Sequence, residues 1–170
     1  MMQGVPYQSF PSSFQRDLLV SKKRFGIWSL MATPSTEVLG VASFDWVVLD
    51  AEHSPNNVRS FITQMMALKD GPTAPVVRPA CNTAVKIKQL LDADFYKFLI
   101  PFAMSAEEGR SAVSATRYPP RGIRGGSVSP RGSCNCTVTN FFNSVHDHIC
   151  AYAGEVFVRV SPLAAKRIAV

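Results

Sequence analysis

The 170 residues contain no run long and apolar enough to cross a bilayer. Uncharged stretches such as Phe25 to Thr36 and Leu99 to Ser105 are too short or too interrupted for roughly 30 Å of hydrocarbon. The N-terminus lacks a basic segment followed by an apolar one. A soluble, non-secreted, cytoplasmic protein without a membrane partner is therefore expected. Cysteine is scarce, four in all, and without a secretion signal such thiols are expected to stay reduced. No GxGxxG follows the first strand-like run and no GxxxxGK[ST] follows any, so a nucleotide cofactor has no support. Acidic residues number 12 against 18 lysines and arginines. No aromatic-rich RNA-binding segment accompanies that surplus, so nucleic acid is not expected as a partner.

What is present belongs to the ordinary globular class: 46% hydrophobic, 18% charged and 10% aromatic residues, enough for one domain with a sizeable core. After a polar opening, short apolar runs alternate with helical periodicity. Gly26–Leu30 reads as a strand, and Pro34–Ser43 as a helix that Thr33 or Ser35 could cap. Asp45–Asp50 (DWVVLD) reads as a strand buried on both faces. Val58, Phe61, Ile62, Met65 and Leu68 form the stripe of a second helix, ended by Gly71-Pro72. Ala74–Pro79 is a third strand. Val85, Ile87, Leu90 and Leu91 mark a third helix, with Lys86 and Lys88 on its wet side. Phe95–Pro101 is a fourth strand, and the segment opening at Ser105 with Glu107 and Glu108 a fourth helix. Four successive β-then-α units imply a parallel sheet with right-handed crossovers. A (β/α)8 barrel is favoured over a doubly wound sheet, although such barrels usually need about 250 residues.

The positive surplus is local. Residues 116–170 hold seven basic and two acidic side chains, and Arg117, Arg121, Arg124 and Arg131 gather in RYPPRGIRGGSVSPRG. Glycine and proline there leave backbone N–H groups free, so the segment is either a phosphate or carboxylate site or a solvated basic loop. Cys134, Cys136, His146, His148 and Cys150 form a second group, but CxC followed by HxHxC is not a common structural-zinc spacing. Cys81, on the loop after the third strand, has no base placed beside it and reads as a small apolar filler.

In a parallel sheet the chemistry lies at the carboxyl ends of the strands. That rule selects Asp50, Glu52 and His53 after the second strand and Arg78 at the end of the third. A histidine there can act as general base, and an arginine can hold a carboxylate or a developing enolate. The same residues also suit a capped helix start, a surface histidine and an arginine paired to Asp50 or Glu52.

These segments are similar to the HpcH/HpaI aldolase family, and within it to the branch acting on 5-keto-4-deoxy-D-glucarate. The similarity covers about residues 15–132 and is carried by DxEH at Asp50–His53, VVRP at Val76–Pro79, LLD at Leu90–Asp92 and YPPxGxRG at Tyr118–Gly125. It implies a (β/α)8 TIM barrel and a class II aldolase that uses Mg2+ or another divalent cation. Such an enzyme would cleave 2-keto-3-deoxy aldarates to pyruvate and a small aldehyde acid such as tartronate semialdehyde. The resemblance makes His53 the proton acceptor, Arg78 the group that stabilises the transition state, and Asp92 the residue that raises the basicity of the histidine. Asp92 precedes the fourth strand and should therefore lie at the far end of the barrel from His53. Either it serves a site across a subunit interface, or its helix ends early and the chain turns upward.

The resemblance stops after Arg131. The family's metal-binding Glu after strand five and Asp after strand six have no counterpart, and the tail places Pro162 where the Asp should be. The expectation is an incomplete barrel of about the first four to five βα units: one partial domain over residues 1–170, with 1–24 as lead-in and 133–170 as a divergent segment. One unit would be missing between Ile149 and Gly154. Two functions stay open: an aldolase on a small keto acid, or an inactive aldolase-like remnant that binds anions or assembles. A homo-oligomer is expected in either case, because an open parallel sheet exposes edges and an apolar face.

Overall fold

A computed structural model of the chain describes residue 20 and residues 23–69, 71–127, 131–133 and 140–153. Strand β1 (Gly26–Ser29) is followed by a 3-10 turn (Pro34–Thr36) and the short helix α1 (Glu37–Val41). Then come β2 (Trp46–Asp50), α2 (Val58–Leu68), β3 (Ala74–Arg78), α3 (Ala84–Asp92), β4 (Lys97–Ile100) and α4 (Ala106–Thr116). A 3-10 turn (Arg131–Ser133), α5 (Phe141–Ser144), a further 3-10 turn (Val145–His148) and β5 (Cys150–Ala153) complete the described elements. Every strand pair is parallel, and the sheet order is β1-β2-β3-β4-β5. A doubly wound sheet reverses its strand order at a switch point, whereas a barrel winds in sequence as here.

Alternation along each strand separates two faces. Val47, Leu49, Val77, Phe98 and Ile100 pack against Phe61, Leu68, Ile87, Leu90, Leu91, Ala112 and Ala115 of the helices. Trp46, Val48, Val76 and Leu99 form a second cluster on the opposite face, with Trp28, Ala74 and Tyr152 against it. Asp50 and Arg78, two residues beyond Val48 and Val76, share that second face.

Local chemistry sets the helix starts. Asn57 and Ser60 form a capping box on α2, as do Ser105 and Glu108 on α4, and the Thr83 side chain accepts from Lys86 N at the start of α3. Three details differ from the sequence reading. The first expected helix divides into a 3-10 turn and a five-residue helix, with the Thr33 hydroxyl accepting from Ser35 N. Val85 lies on the exposed side of α3, whose buried residues are Ile87, Leu90 and Leu91. A fifth strand forms at Cys150–Ala153, where none was expected, by pairing with β4 from Lys97↔Cys150 to Ile100↔Ala153. The expected lead-in at 1–24 lies largely outside the described residues, as do Cys134, Cys136 and Pro162. Among the described residues no helix is long and apolar enough to cross a membrane.

A buried polar chain ties the helix layer to the end of β2. Thr36 Oγ1 donates to Gln64 Oε1 at 3.1 Å, Gln64 Nε2 to Asn56 Oδ1 at 2.7 Å, and Asn56 Nδ2 to the Asp50 carbonyl at 2.7 Å. Buried amides of this kind are costly to leave without partners. Gln64→Leu keeps the volume and removes both links. It is expected to lower stability by about 1–3 kcal/mol, seen as a lower urea midpoint with an unchanged slope.

Candidate functional site

The carboxyl end of β2 carries a carboxylate with no solvent exposure. Asp50 and Arg78 are register partners on β2 and β3, and both side chains leave the sheet on the same side. Arg78 Nε donates to Asp50 Oδ1 at 2.8 Å and Nη2 to Oδ2 at 2.6 Å, a two-pronged fork. The Trp28 indole N–H reaches Oδ2 at 3.2 Å, and the Glu52 backbone N–H reaches Oδ1 at 2.9 Å. Arg78, 16% exposed, also lies over the Trp28 ring at 4.7 Å and brings Nη1 to 2.6 Å from Glu52 Oε2. Burial pushes the Asp50 pKa up. The hydrogen bonds from Arg78 and Glu52 N, the Arg78 charge and the Trp28 N–H outweigh it and hold the carboxyl below its ordinary value.

The loop after Asp50 is fixed by the same residue. Its carbonyl accepts from Ser54 Oγ and Asn56 Nδ2, and Ala51 N donates to the Arg78 carbonyl at 2.9 Å. His53 projects from this loop with 68% of its side chain exposed and Nε2 3.9 Å from Glu52 Oε2. Asp50, Arg78, Glu52 and His53 thus form one continuous series at one rim. Arg78 presents its Nε–Nη2 edge to Asp50 and its Nη1 side to Glu52, a fixed cation beside an accessible imidazole. The arrangement sets a guanidinium, paired with two carboxylates and stacked on an indole, next to a proton acceptor. A cavity of about 280 Å³ between the starts of α2 and α3 lies on the helix side of these loops, lined by Ala51, Pro79, Arg59 and Lys86 among others but not by Arg78 or His53.

Asp92 is elsewhere. Helix α3 continues through it, so the chain does not turn upward early, and the residue sits at the amino end of the sheet. Its partner is Arg124, whose Nη2 donates to Asp92 Oδ1 at 2.8 Å. Arg124 is buried, so the basic segment is not simply a solvated loop. Cys81 is exposed, with Sγ 3.7 Å from Thr83 Oγ1, and does not fill an apolar gap. Among the described residues no group of three or more His, Cys, Asp or Glu could hold a metal ion. The Cys150 thiol donates to Tyr152 Oη at 2.8 Å. Trp28 and Asn56 were missed by the sequence reading. The position of Trp28 near the end of β1, on the same face as Asp50, is the signal that could have found it.

The sign of the Asp50 shift sets a pH dependence. A carboxylate with a lowered folded-state pKa contributes stability that is fully present above its unfolded value, about 3.9, and is lost as pH falls through the folded value. Asp50→Asn, which cannot supply that charge, is expected to be destabilised at neutral pH. The gap between the two proteins should narrow below about pH 4, as followed by denaturant unfolding between neutral and acid pH.

Comparison with known proteins gives a consistent set of similarities. The sequence profile of HpcH/HpaI aldolase/citrate lyase matches residues 24–160. A protein of Enterobacter sp. (strain 638) named 5-keto-4-deoxy-D-glucarate aldolase is 52% identical over 141 residues, covering 82% of this chain and 55% of that protein. One of the same name from Shigella boydii serotype 18 is 50% identical over 149 residues, covering 87% and 57%. The crystal structure of an HpcH/HpaI aldolase/citrate lyase family protein from Burkholderia cenocepacia J2315 superposes with a TM-score of 0.80 at 25% identity, covering 84% of this chain and 59% of that one. The chain spans little more than half the length of the curated relatives it matches.

Proposed function

The chain belongs to the HpcH/HpaI aldolase/citrate lyase family, and from that premise we propose that the rim of His53 and Arg78 serves retro-aldol cleavage of 2-keto-3-deoxy aldarates of the 5-keto-4-deoxy-D-glucarate type. The products are pyruvate and a small aldehyde acid such as tartronate semialdehyde. The observation that carries this reading is the Arg78 guanidinium, locked by Asp50, stacked on Trp28 and set beside the accessible His53. In the cleavage direction His53 takes the proton of the hydroxyl next to the breaking bond. The O–H electrons become the aldehyde carbonyl, and the carbon–carbon pair passes into the enolate of pyruvate. Arg78 stabilises that enolate and the neighbouring carboxylate. The imidazolium returns its proton to the enolate carbon, which completes pyruvate.

Asp92 enters this scheme through a second copy of the chain. Its helix holds it at the opposite end of the sheet from His53 in its own subunit, so the proton acceptor would be supported by Asp92 of a neighbouring subunit in a homo-oligomer. The divalent cation implied by the resemblance finds no fitting donor set among the described residues: both rim carboxylates face Arg78, and no three-donor cluster exists there. That shortage favours a second reading, in which the chain is a non-catalytic module that binds anions or assembles.

Pyruvate release from a 2-keto-3-deoxy aldarate with Mg2+ or Mn2+, before and after chelation, separates the readings, since the second requires no turnover under any metal. Calorimetry is expected to show no tight binding of either cation to the isolated chain, a hard ion with so few free carboxylates keeping its waters. If the chain turns over, His53→Ala should lower the rate by about 10²–10⁴. Arg78→Lys should also fail, because an ammonium cannot reproduce the planar fork. Inactive His53→Ala and Asp92→Asn chains, mixed after dissociation, should regain part of the activity. If the mixture stays inactive, Asp92 has no role across the interface.

A further inference from the structure

At the opposite end of the sheet from His53, several buried polar atoms around Tyr118 have no hydrogen-bond partner among the described residues. The Arg124 side chain is fully buried. Its Nη2 bonds Asp92, while Nε and Nη1 are without a hydrogen-bond partner among the described residues. Tyr118 Oη and His146 Nδ1 are in the same condition. The three side chains are neighbours: Arg124 Cζ stands 4.5 Å from the centroid of the Tyr118 ring, and the His146 ring meets it edge-on at 5.7 Å.

The backbone holds this cluster in place. Ile123 N donates to Ser114 O and Arg124 N to Arg117 O, each at 2.9 Å, folding the loop back on the end of α4. A Cβ at Gly122 would meet Ser114 O at 2.2 Å and Arg117 O at 2.6 Å, so only glycine allows the approach. Charge is unbalanced as well. Burial and the charges of Arg121, Arg117 and Arg124 all push the His146 pKa down, opposed by the exposed Asp147, and Asp92 pairs with one edge of Arg124 alone.

Leaving one buried donor unmade costs about 1–3 kcal/mol, more when it is charged, and folded proteins rarely tolerate a group of them. What the cluster lacks is an acceptor with negative charge and a shape that suits a guanidinium edge. We propose that Arg124, Tyr118 and His146 form a binding site for a small oxyanion, a carboxylate or a phosphate, with the exposed Arg117 and Arg121 at its mouth. Within one subunit the site lies at the opposite end of the sheet from His53 and Arg78, and it does not rest on the aldolase reading.

The test titrates the full chain with inorganic phosphate and, separately, with malonate, at ionic strength matched with chloride, by calorimetry and thermal shift. Saturable binding of at least one anion, with a rise in melting temperature that chloride does not give, is expected. The anion that saturates at the lower concentration identifies the source. Tyr118→Phe removes one oxygen and keeps the ring, and should weaken binding roughly tenfold, the scale of one hydrogen bond to a charged group. Arg124→Met should abolish it. If circular dichroism shows that Arg124→Met does not fold, Tyr118→Phe alone carries the decision. No saturation beyond the chloride control, or equal affinity in Tyr118→Phe and the parent, overturns the site.

Discussion

A carboxylate taken completely out of water is the condition on which the rim depends. Stripping an ion of its hydration costs several kcal/mol unless charge and hydrogen bonds replace what water gave. Asp50 meets that demand with the fork of Arg78, the Trp28 indole and the Glu52 N–H. Each requirement fixes something beyond itself. The fork requires β2 and β3 to pair in the Asp50↔Arg78 register. The Glu52 N–H requires the chain to turn at once after the strand. That turn places His53 in solvent beside Glu52. The position of the proposed base is thus a consequence of burying its neighbour.

The helix layer is attached to the same point. Asn56 receives Gln64 from α2 and donates to the carbonyl of Asp50, while Thr36, from the turn before α1, closes on Gln64. Strand end, loop and two helical segments therefore share one polar path through an otherwise apolar layer. A path of this kind rigidifies only if every member is satisfied, and here each link is a direct bond between protein groups. The amino end of the sheet is built differently, with Asp92 paired to a single edge of Arg124.

Much of this was legible in the sequence because it follows from periodicity and direction. Val58, Phe61 and Leu68 announce α2 by spacing, and DWVVLD can only be a strand covered on both faces. Parallel strands then bring Asp50, Glu52, His53 and Arg78 to one rim. The placement of Asp92 at the other end was readable by the same logic. Pairings between segments without periodicity were not readable. Nothing distinguishes Arg124 from Arg121 in a loop of glycine and proline, yet one is buried and the other exposed. CAYA becomes β5 because β4 offers it an edge and not because its composition asks for a strand. Cys81 was misjudged for a related reason: a loop residue's burial is decided by what packs over it, which the local sequence does not contain.

The stacking of Arg78 on Trp28 gives the rim an optical handle. Indole emission responds to charges near the ring, and Trp28 lies against the guanidinium and bonds the carboxylate that holds it. The sequence has one other tryptophan, Trp46, buried in the sheet interior, so a Trp46→Phe chain would carry its whole indole signal at the rim. An anion that draws Arg78 away from the ring, or adds its own charge beside it, would shift that emission without any label. Occupancy could then be followed by intrinsic fluorescence in a chain that does not turn over.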